Sequence, residues 1–317
     1  MEAEVADFIS RIGSSLFPQH LRCIMLLDVT KGGTMYAHVN GMKIWYDQTG
    51  EQGSPVLLIM GFGMSSEAWM PQVVTLEKHH QVLRMDNRGV ARSGSVHAPY
   101  TLKDMAADCL GIVDKQCFRD VHVVGVSMGG MIAQEFALRY PDRVRSLTLI
   151  ATHCGGPKHL PRAKAIGLFL KANMSRGKDR IEALGKLLYP EEARDEFMSV
   201  TEGSQIANEL FNPIARTTLR YQLMAVARHN TARRLKQLKG KPVLVVKPTD
   251  DILVPADSSD DLHRLIPGSR MISFSNAGHG ITEQCADELN AHLLAHFSAA
   301  DEVALTRKSE WSHLRVA

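Results

Sequence analysis

Apolar residues along most of the chain alternate between two patterns. Six apolar runs are too continuous for strands with one exposed face, as expected for strands buried on both faces of a parallel sheet. They cover residues 56–60, 82–85, 121–126, 144–150, 243–246 and 271–274. Between them, residues 102–117 and 131–140 carry apolar side chains at helical spacing. This order predicts an α/β fold with a mostly parallel central sheet and helices on both faces.

The first part of the chain has a different pattern. Residues 1–34 form a predicted N-terminal extension, in which five apolar side chains recur at helical spacing and predict a short amphipathic helix. Residues 35–39 and 42–47 then read as two strands around Asn40-Gly41. Because this pair readily adopts the positive φ angles of a two-residue turn, a β-hairpin is expected here.

One long stretch interrupts the alternation. Residues 153–239 contain no convincing strand pattern, only helical segments such as 163–174, 180–188 and 217–228. We predict an inserted helical cap over the carboxyl edge of the sheet, where ligands bind in such folds. The α/β core would then comprise residues 35–152 and 240–298, followed by a C-terminal tail at 299–317. The insertion carries 16 Lys or Arg and 8 Asp or Glu, so its net charge is +8.

Composition narrows the class of function. The 317-residue chain has 37 basic and 34 acidic residues, a balance that argues against a dedicated nucleic-acid binder. Its longest apolar stretch, residues 56–64, is far shorter than the roughly 20 residues of a membrane-spanning helix. The N-terminus begins with acidic residues rather than a signal-like pattern, so a cytoplasmic protein without a membrane span is expected. Five scattered cysteines indicate neither a disulfide framework nor a zinc site.

The strongest chemical signal follows the run at 121–126. Ser127 lies between Gly125 and Gly129 in a G-x-S-x-G sequence, with a strand before it and a helix after it. This context is that of a nucleophile elbow, in which a sharp turn exposes the serine hydroxyl and needs glycine on both sides. The same turn directs the backbone N–H of Met128 toward the space where an oxyanion would form.

A serine nucleophile needs a base, and the base needs an orienting acid. For this topology the acid and then the histidine are expected at the ends of later strands. Asp250 and Asp251 follow the run at 243–246, and His279 lies between two glycines after the run at 271–274. A helix over 283–297 would anchor the histidine loop.

Together these motifs resemble those of the α/β-hydrolase superfamily, over roughly residues 35–298. Besides the elbow, the chain contains LIMGFG at 58–63, DNRGVARSG at 86–94 and PDRV at 141–144, in the family's order. The resemblance implies an oxyanion donor at the backbone N–H of Phe62, beside that of Met128. It also implies Asp251 as the acid, four residues before Pro255. We interpret the segment 88–93 as structural, bracing loops behind the site. No metal and no organic cofactor is implied.

The predicted activity is hydrolysis of carboxylic esters with small to medium acyl chains, of the EC 3.1.1 type, through Ser127, His279 and Asp251. Lactonases, carbon–carbon bond hydrolases and perhydrolases of the same fold share this triad and stay open as alternatives. An acyltransferase, or a ligand receptor on a hydrolase fold with little turnover, is also compatible with the motifs. The expected partner is a small ester, and the oligomeric state is left open.

Overall fold

The computed structural model describes residues 35–159, 161–201 and 214–314. The predicted N-terminal extension lies outside the described residues.

A single eight-stranded sheet forms the centre of the fold, with the strands in the order β1-β2-β4-β3-β5-β6-β7-β8. The strands are β1 (Met35–Val39), β2 (Met42–Thr49), β3 (Pro55–Ile59), β4 (Gln81–Met85), β5 (Val121–Val126), β6 (Val144–Ile150), β7 (Val243–Pro248) and β8 (Arg270–Phe274). The first two form the predicted hairpin, β2 pairs antiparallel with β4, and all later pairings are parallel. The α/β fold class is thereby confirmed.

Helices lie between and after the strands. They are α1 (Met70–Leu76), α2 (Leu102–Lys115), α3 (Met128–Arg139), α4 (Ala163–Met174), α5 (Gly177–Leu188), α6 (Glu191–Thr201), α7 (Arg216–Ala227), α8 (Asp257–Leu265), α9 (Ile281–Gln284) and α10 (Ala286–Leu314). Several boundaries differ from the sequence prediction, two of them in helices α3 and α10. Helix α3 begins directly after Ser127 rather than at 131, and α10 continues to Leu314 rather than ending at 297.

The core has two layers because β3 and β5 present alternate side chains to opposite faces of the sheet. Leu57 and Ile59 pack with the apolar faces of α2 and α3. Val56 and Leu58 pack on the other face with α1 and the first turns of α10. Helices therefore cover both faces of the sheet, as the buried strand runs predicted.

Helices α4 to α7 all lie between β6 and β7 in the chain, where the insertion was predicted. Among the described residues of this stretch, the strand-like pairing is one isolated bridge between Gly155 and Asn230. None of the helices in the described part of the chain combines the length and apolar character needed to cross a bilayer.

Several buried histidines make folding sensitive to acid. Burial is the largest cause that lowers the pKa of His296 to about 4, and the charge of His122 contributes to this shift. Burial is also the largest cause that lowers the pKa of His122 and of His80. Because these pKa values lie below the roughly 6.5 of an unfolded histidine, the unfolded chain binds more protons as the pH falls below that value. The contribution of the neutral, buried histidines to the free energy of unfolding is complete above about pH 6.5 and is lost on acidification toward about pH 4.

We therefore expect the free energy of unfolding, measured in urea, to decrease as the pH is lowered from about 6.5 to about 4.5. In His296→Gln the slope should be smaller by up to about 1.4 kcal/mol per pH unit, the contribution of one proton. His97→Gln, which replaces an exposed histidine, is the matched control. An equal change of slope in the two variants would contradict this assignment.

Candidate active site

Ser127 lies on the sharp turn between β5 and α3. Its backbone has φ 56° and ψ −123°, a left-handed conformation that is uncommon for residues other than glycine. The turn is held from both sides, since the Ser127 N–H donates to the Ile150 carbonyl at 2.9 Å and the Thr152 hydroxyl donates to the Ser127 carbonyl at 2.7 Å. Ser127 is partly exposed although the residues on either side of it are buried.

The two glycines of the elbow allow a very close approach of backbones. A Cβ atom on Gly125 would lie 2.3 Å from the Gly129 carbonyl oxygen, and one on Gly129 would lie 2.0 Å from the Ile59 carbonyl oxygen. Both distances are far below van der Waals contact, so any side chain at these positions would push α3 away from the sheet. The turn at Ser127 therefore requires both glycines.

The loop after β3 lies directly against Ser127. A Cβ atom on Gly61 would be 3.1 Å from the Cβ of Ser127 and 3.7 Å from its hydroxyl oxygen. Phe62 is the next residue of this loop. Met128 is the first residue of α3, where the backbone N–H has no acceptor within the helix. Both predicted oxyanion donors thus belong to segments that adjoin Ser127.

Asp251 and His279 form a buried pair at the same edge of the sheet, after β7 and β8. The His279 Nδ1 lies 2.6 Å from the Asp251 Oδ2, and since a carboxylate only accepts, the imidazole donates. The second oxygen of Asp251 accepts the backbone N–H groups of Leu253 and Val254, each at 2.8 Å. The Asp251 side chain is completely shielded from solvent. Every described hydrogen bond therefore holds this carboxylate in one orientation toward the imidazole.

Asp250, the other candidate for the triad acid, does not pair with His279. It is exposed, and its side chain accepts the hydroxyl proton of Thr249 at 2.6 Å. Its backbone N–H donates to the Ala277 carbonyl and so ties the acid loop to the histidine loop. The structure thus pairs His279 with Asp251 and gives Asp250 a place in the loop backbone.

Residues at the end of α5 clamp the loop that carries His279. The Gly280 N–H donates to the Leu188 carbonyl at 2.8 Å, and a Cβ atom on Gly278 would lie 2.4 Å from the same oxygen. The buried Tyr189 hydroxyl donates to the carboxylate of Glu283 just after the loop. Burial, and then the charge of Glu283, raise the pKa of Tyr189 well above its usual value, so the phenol stays protonated.

The insertion also contacts the loop after β3. The Gly63 N–H donates to the Gln222 Oε1 from α7 at 2.9 Å. The ring of Phe62 meets the ring of Phe169 from α4 edge-on, with 5.2 Å between their centres. The insertion therefore contacts both loops that adjoin the candidate site.

His153 is a neighbour of the site that the sequence analysis did not single out. It follows β6, and its Nδ1 accepts the Gly155 N–H at 2.9 Å, which leaves the proton on Nε2. Burial is the largest cause that lowers its pKa to about 3, and the charges of His229, His159 and His279 contribute to this shift. His153 is therefore a neutral hydrogen-bond donor at neutral pH, and it lies near His279.

The segment at 86–94 braces the loops behind the site. Arg88 forms two hydrogen bonds to Asp108, at 2.6 and 2.7 Å. The fully buried Asp86 accepts from the Ser66 N–H at 2.8 Å and from the Arg92 Nε at 2.7 Å. Burial alone would raise the pKa of Asp86, but the hydrogen bonds and charge of Arg92 outweigh it and hold the pKa below its usual range.

Among the described residues, one group has the composition of a metal site. His80, His122 and Asp301 place their ligand atoms within 4.8 Å of one another at the amino edge of the sheet, opposite the candidate site. The Ser54 hydroxyl lies between them, at 3.1, 2.9 and 2.7 Å from the three side chains. The Arg145 guanidinium also binds Asp301 at 2.8 Å. A cation would have to displace this hydroxyl beside a positive charge, so we interpret the group as a hydrogen-bond network that anchors α10.

The clamp on the histidine loop predicts a large effect of a small substitution. Gly278→Ala would drive a methyl group into the Leu188 carbonyl and should cost about 1–3 kcal/mol of unfolding free energy. Gly167→Ala is the control, because nothing lies within 4 Å of that position in α4. It should stabilise by about 0.5–1 kcal/mol, as alanine does inside helices. Equal stability of the two variants in urea unfolding would contradict the proposed clamp.

Comparison with known proteins places this geometry in a family. The family model described as alpha/beta hydrolase fold matches residues 54–284. The chain is 30% identical to the "Putative carbamate hydrolase RutD" of Azorhizobium caulinodans, over 84% of this chain and 99% of that protein. It is similar in structure to the enol-lactonase from Burkholderia xenovorans LB400, with a TM-score of 0.70 and 23% identity over 83% of this chain and 100% of that one. The structure of a thermophilic esterase from Thermogutta terrifontis is also similar, with a TM-score of 0.71 and 22% identity over 84% of this chain and 98% of that one. The chain belongs to the α/β-hydrolase family.

Proposed function

We propose that this hydrolase cleaves carboxylic esters of small to medium acyl chains, with Ser127 as nucleophile, His279 as base and Asp251 as the orienting acid. The observation that carries the proposal is the buried 2.6 Å hydrogen bond between Asp251 and His279, at the sheet edge where Ser127 lies on its strained turn. We further propose a cytoplasmic location and a small-molecule substrate.

The reaction would proceed in two acyl-transfer steps. Ser127 attacks the ester carbonyl while His279 accepts the hydroxyl proton, which it then delivers to the departing alcohol. Water attacks the acyl-enzyme in the same way and releases the acid. The Asp251 carboxylate stabilises the imidazolium that forms each time. The backbone N–H groups of Phe62 and Met128 would bind the oxyanion, and each such donor contributes about 3 kcal/mol in comparable sites.

The nucleophile is tested by labelling and turnover. A fluorophosphonate probe should add to the wild-type protein at Ser127 and not to Ser127→Ala, as read by intact mass and peptide mapping. Turnover of p-nitrophenyl esters should fall by roughly 10⁴-fold or more in the variant, because the acyl-enzyme cannot form. In a series from acetate to decanoate, the proposal expects an optimum at short to medium chains. Undiminished turnover in Ser127→Ala would refute it, and labelling without any ester turnover would favour the receptor alternative.

The two neighbouring aspartates provide a matched pair of variants. Asp251→Asn replaces the acceptor of the His279 Nδ1–H, so kcat should fall by roughly 10³-fold or more. Asp250→Asn changes an exposed side chain that hydrogen-bonds only to Thr249 among the described residues, and kcat should change less than about threefold. A larger loss in Asp250→Asn than in Asp251→Asn would reverse the assignment of the acid.

Hydrolysis of carbamates is a second candidate function. It is favoured by one observation, the 30% identity to the RutD relative over nearly that protein's whole length. A carbamate presents the same carbonyl to Ser127, with a nitrogen on the acyl side that makes the carbonyl less electrophilic. A site suited to it must therefore hold that nitrogen with its own polar groups.

The two functions are separated by one pair of substrates with the same leaving group. We expect kcat/KM for p-nitrophenyl acetate to exceed that for p-nitrophenyl carbamate if the protein is an esterase. Because the carbamate carbonyl is the less electrophilic of the two toward the serine, a reversed order would show specific recognition of the nitrogen and would replace the esterase proposal. Ser127→Ala, measured with both substrates, corrects for spontaneous hydrolysis.

A further inference from the structure

The outer face of α4 carries an unusual set of exposed apolar side chains. Nine large apolar residues are exposed in the described part of the chain, and three of them, Ile166, Leu170 and Met174, are on this one helix. Their exposed fractions are 45%, 49% and 83%. Because they are spaced by four residues, they form a stripe along one side of the helix, about 12 Å long.

The residues around the stripe are basic. The segment 162–178 has five charged side chains, all positive and all exposed. They are Arg162, Lys164, Lys171, Arg176 and Lys178. The next acids along the chain, Asp179 and Glu182, are on α5. Glu182 is paired with Lys186, and its charge also interacts with Lys171 and Lys178. An apolar stripe flanked by lysine and arginine is the pattern of a helix that lies in the plane of a membrane surface.

The opposite side of α4 is fixed to the protein. Ala165 and Ala172 are buried, and Phe169 packs edge-on against Phe62 in the loop beside Ser127. The stripe therefore lies on a helix whose inner face already packs against the rest of the protein. The exposed side chains do not belong to the core.

We propose that the outer face of α4 docks on the surface of a membrane that contains anionic lipids. Ile166, Leu170 and Met174 enter the boundary between headgroups and acyl chains, while the five basic side chains meet lipid phosphates. Docking requires no membrane-spanning helix. It also does not depend on the proposed catalysis, because it is a property of the surface alone.

Other occupants fit the surface less well. A second copy of the chain in a twofold dimer would bring the two basic faces together, with repulsion between like charges. A stable interface with another protein buries about 800 Å² on each partner, more than a stripe of three side chains supplies. A membrane surface needs no such area, because small apolar insertions and attractions between basic side chains and anionic lipids add together.

The experiment is sedimentation of the full chain with vesicles. We expect binding to phosphatidylcholine mixed with phosphatidylglycerol, little binding to phosphatidylcholine alone, and loss of binding at high salt. Leu170→Asp/Met174→Asp should reduce the partition coefficient on the order of tenfold or more, and so should Lys164→Glu/Lys171→Glu. Val303→Asp/Leu305→Asp is the control, since it places the same two charges at exposed apolar positions on α10.

A thermal unfolding midpoint equal to that of the wild type establishes that a variant folds. If one of the two α4 double variants fails to fold, the other still tests the proposal. Equal binding to both kinds of vesicle, or equal binding of wild type and α4 variants, would overturn the proposal. A wild-type dimer in light scattering that Leu170→Asp/Met174→Asp converts to a monomer would instead identify the stripe as a self-association surface. That outcome would also overturn it.

Discussion

The close approach of α3 to the sheet is the constraint on which the candidate site depends. A serine with φ near 56° is costly on its own and persists only where the surroundings hold it. Here the glycines at 125 and 129 let α3 contact the backbones of β5 and β3. The same contact brings Gly61 against Ser127, so one steric requirement places the serine, the start of a helix and the loop after β3 within a few ångströms.

Those parts of the fold could be predicted because their signals are local. Buried strands leave continuous apolar runs, and the elbow leaves a short motif between a strand and a helix. The extension of α10 to Leu314 was missed for the same physical reason. Most described residues beyond 297 are exposed or only partly buried, so the apolar period that marks a helix ends there. The network around Asp301 anchors that part of the helix through polar contacts instead.

The pairing of His279 with Asp251 shows where sequence order is not enough. Two adjacent aspartates follow β7, and their spacing to a proline is only a hint. The structure separates them by burial and by backbone donors, since Asp251 is shielded and accepts two N–H groups while Asp250 is exposed. Contacts such as Gly280 to Leu188 and Gly63 to Gln222 join a backbone group to a partner far along the chain. They leave no periodic pattern, so neither contact could be predicted from the sequence.

Through these long-range contacts, the insertion binds both the histidine loop and the loop after β3, on the two sides of the candidate site. A shift of α5 would move the histidine loop through Leu188, and a shift of α7 would move the loop after β3 through Gln222. Relatives with one fold carry names as different as lactonase, esterase and carbamate hydrolase, so the sheet alone does not set the substrate. Since the insertion touches both loops and also presents the exposed face of α4, substrate selection and any surface docking would act through the same helices.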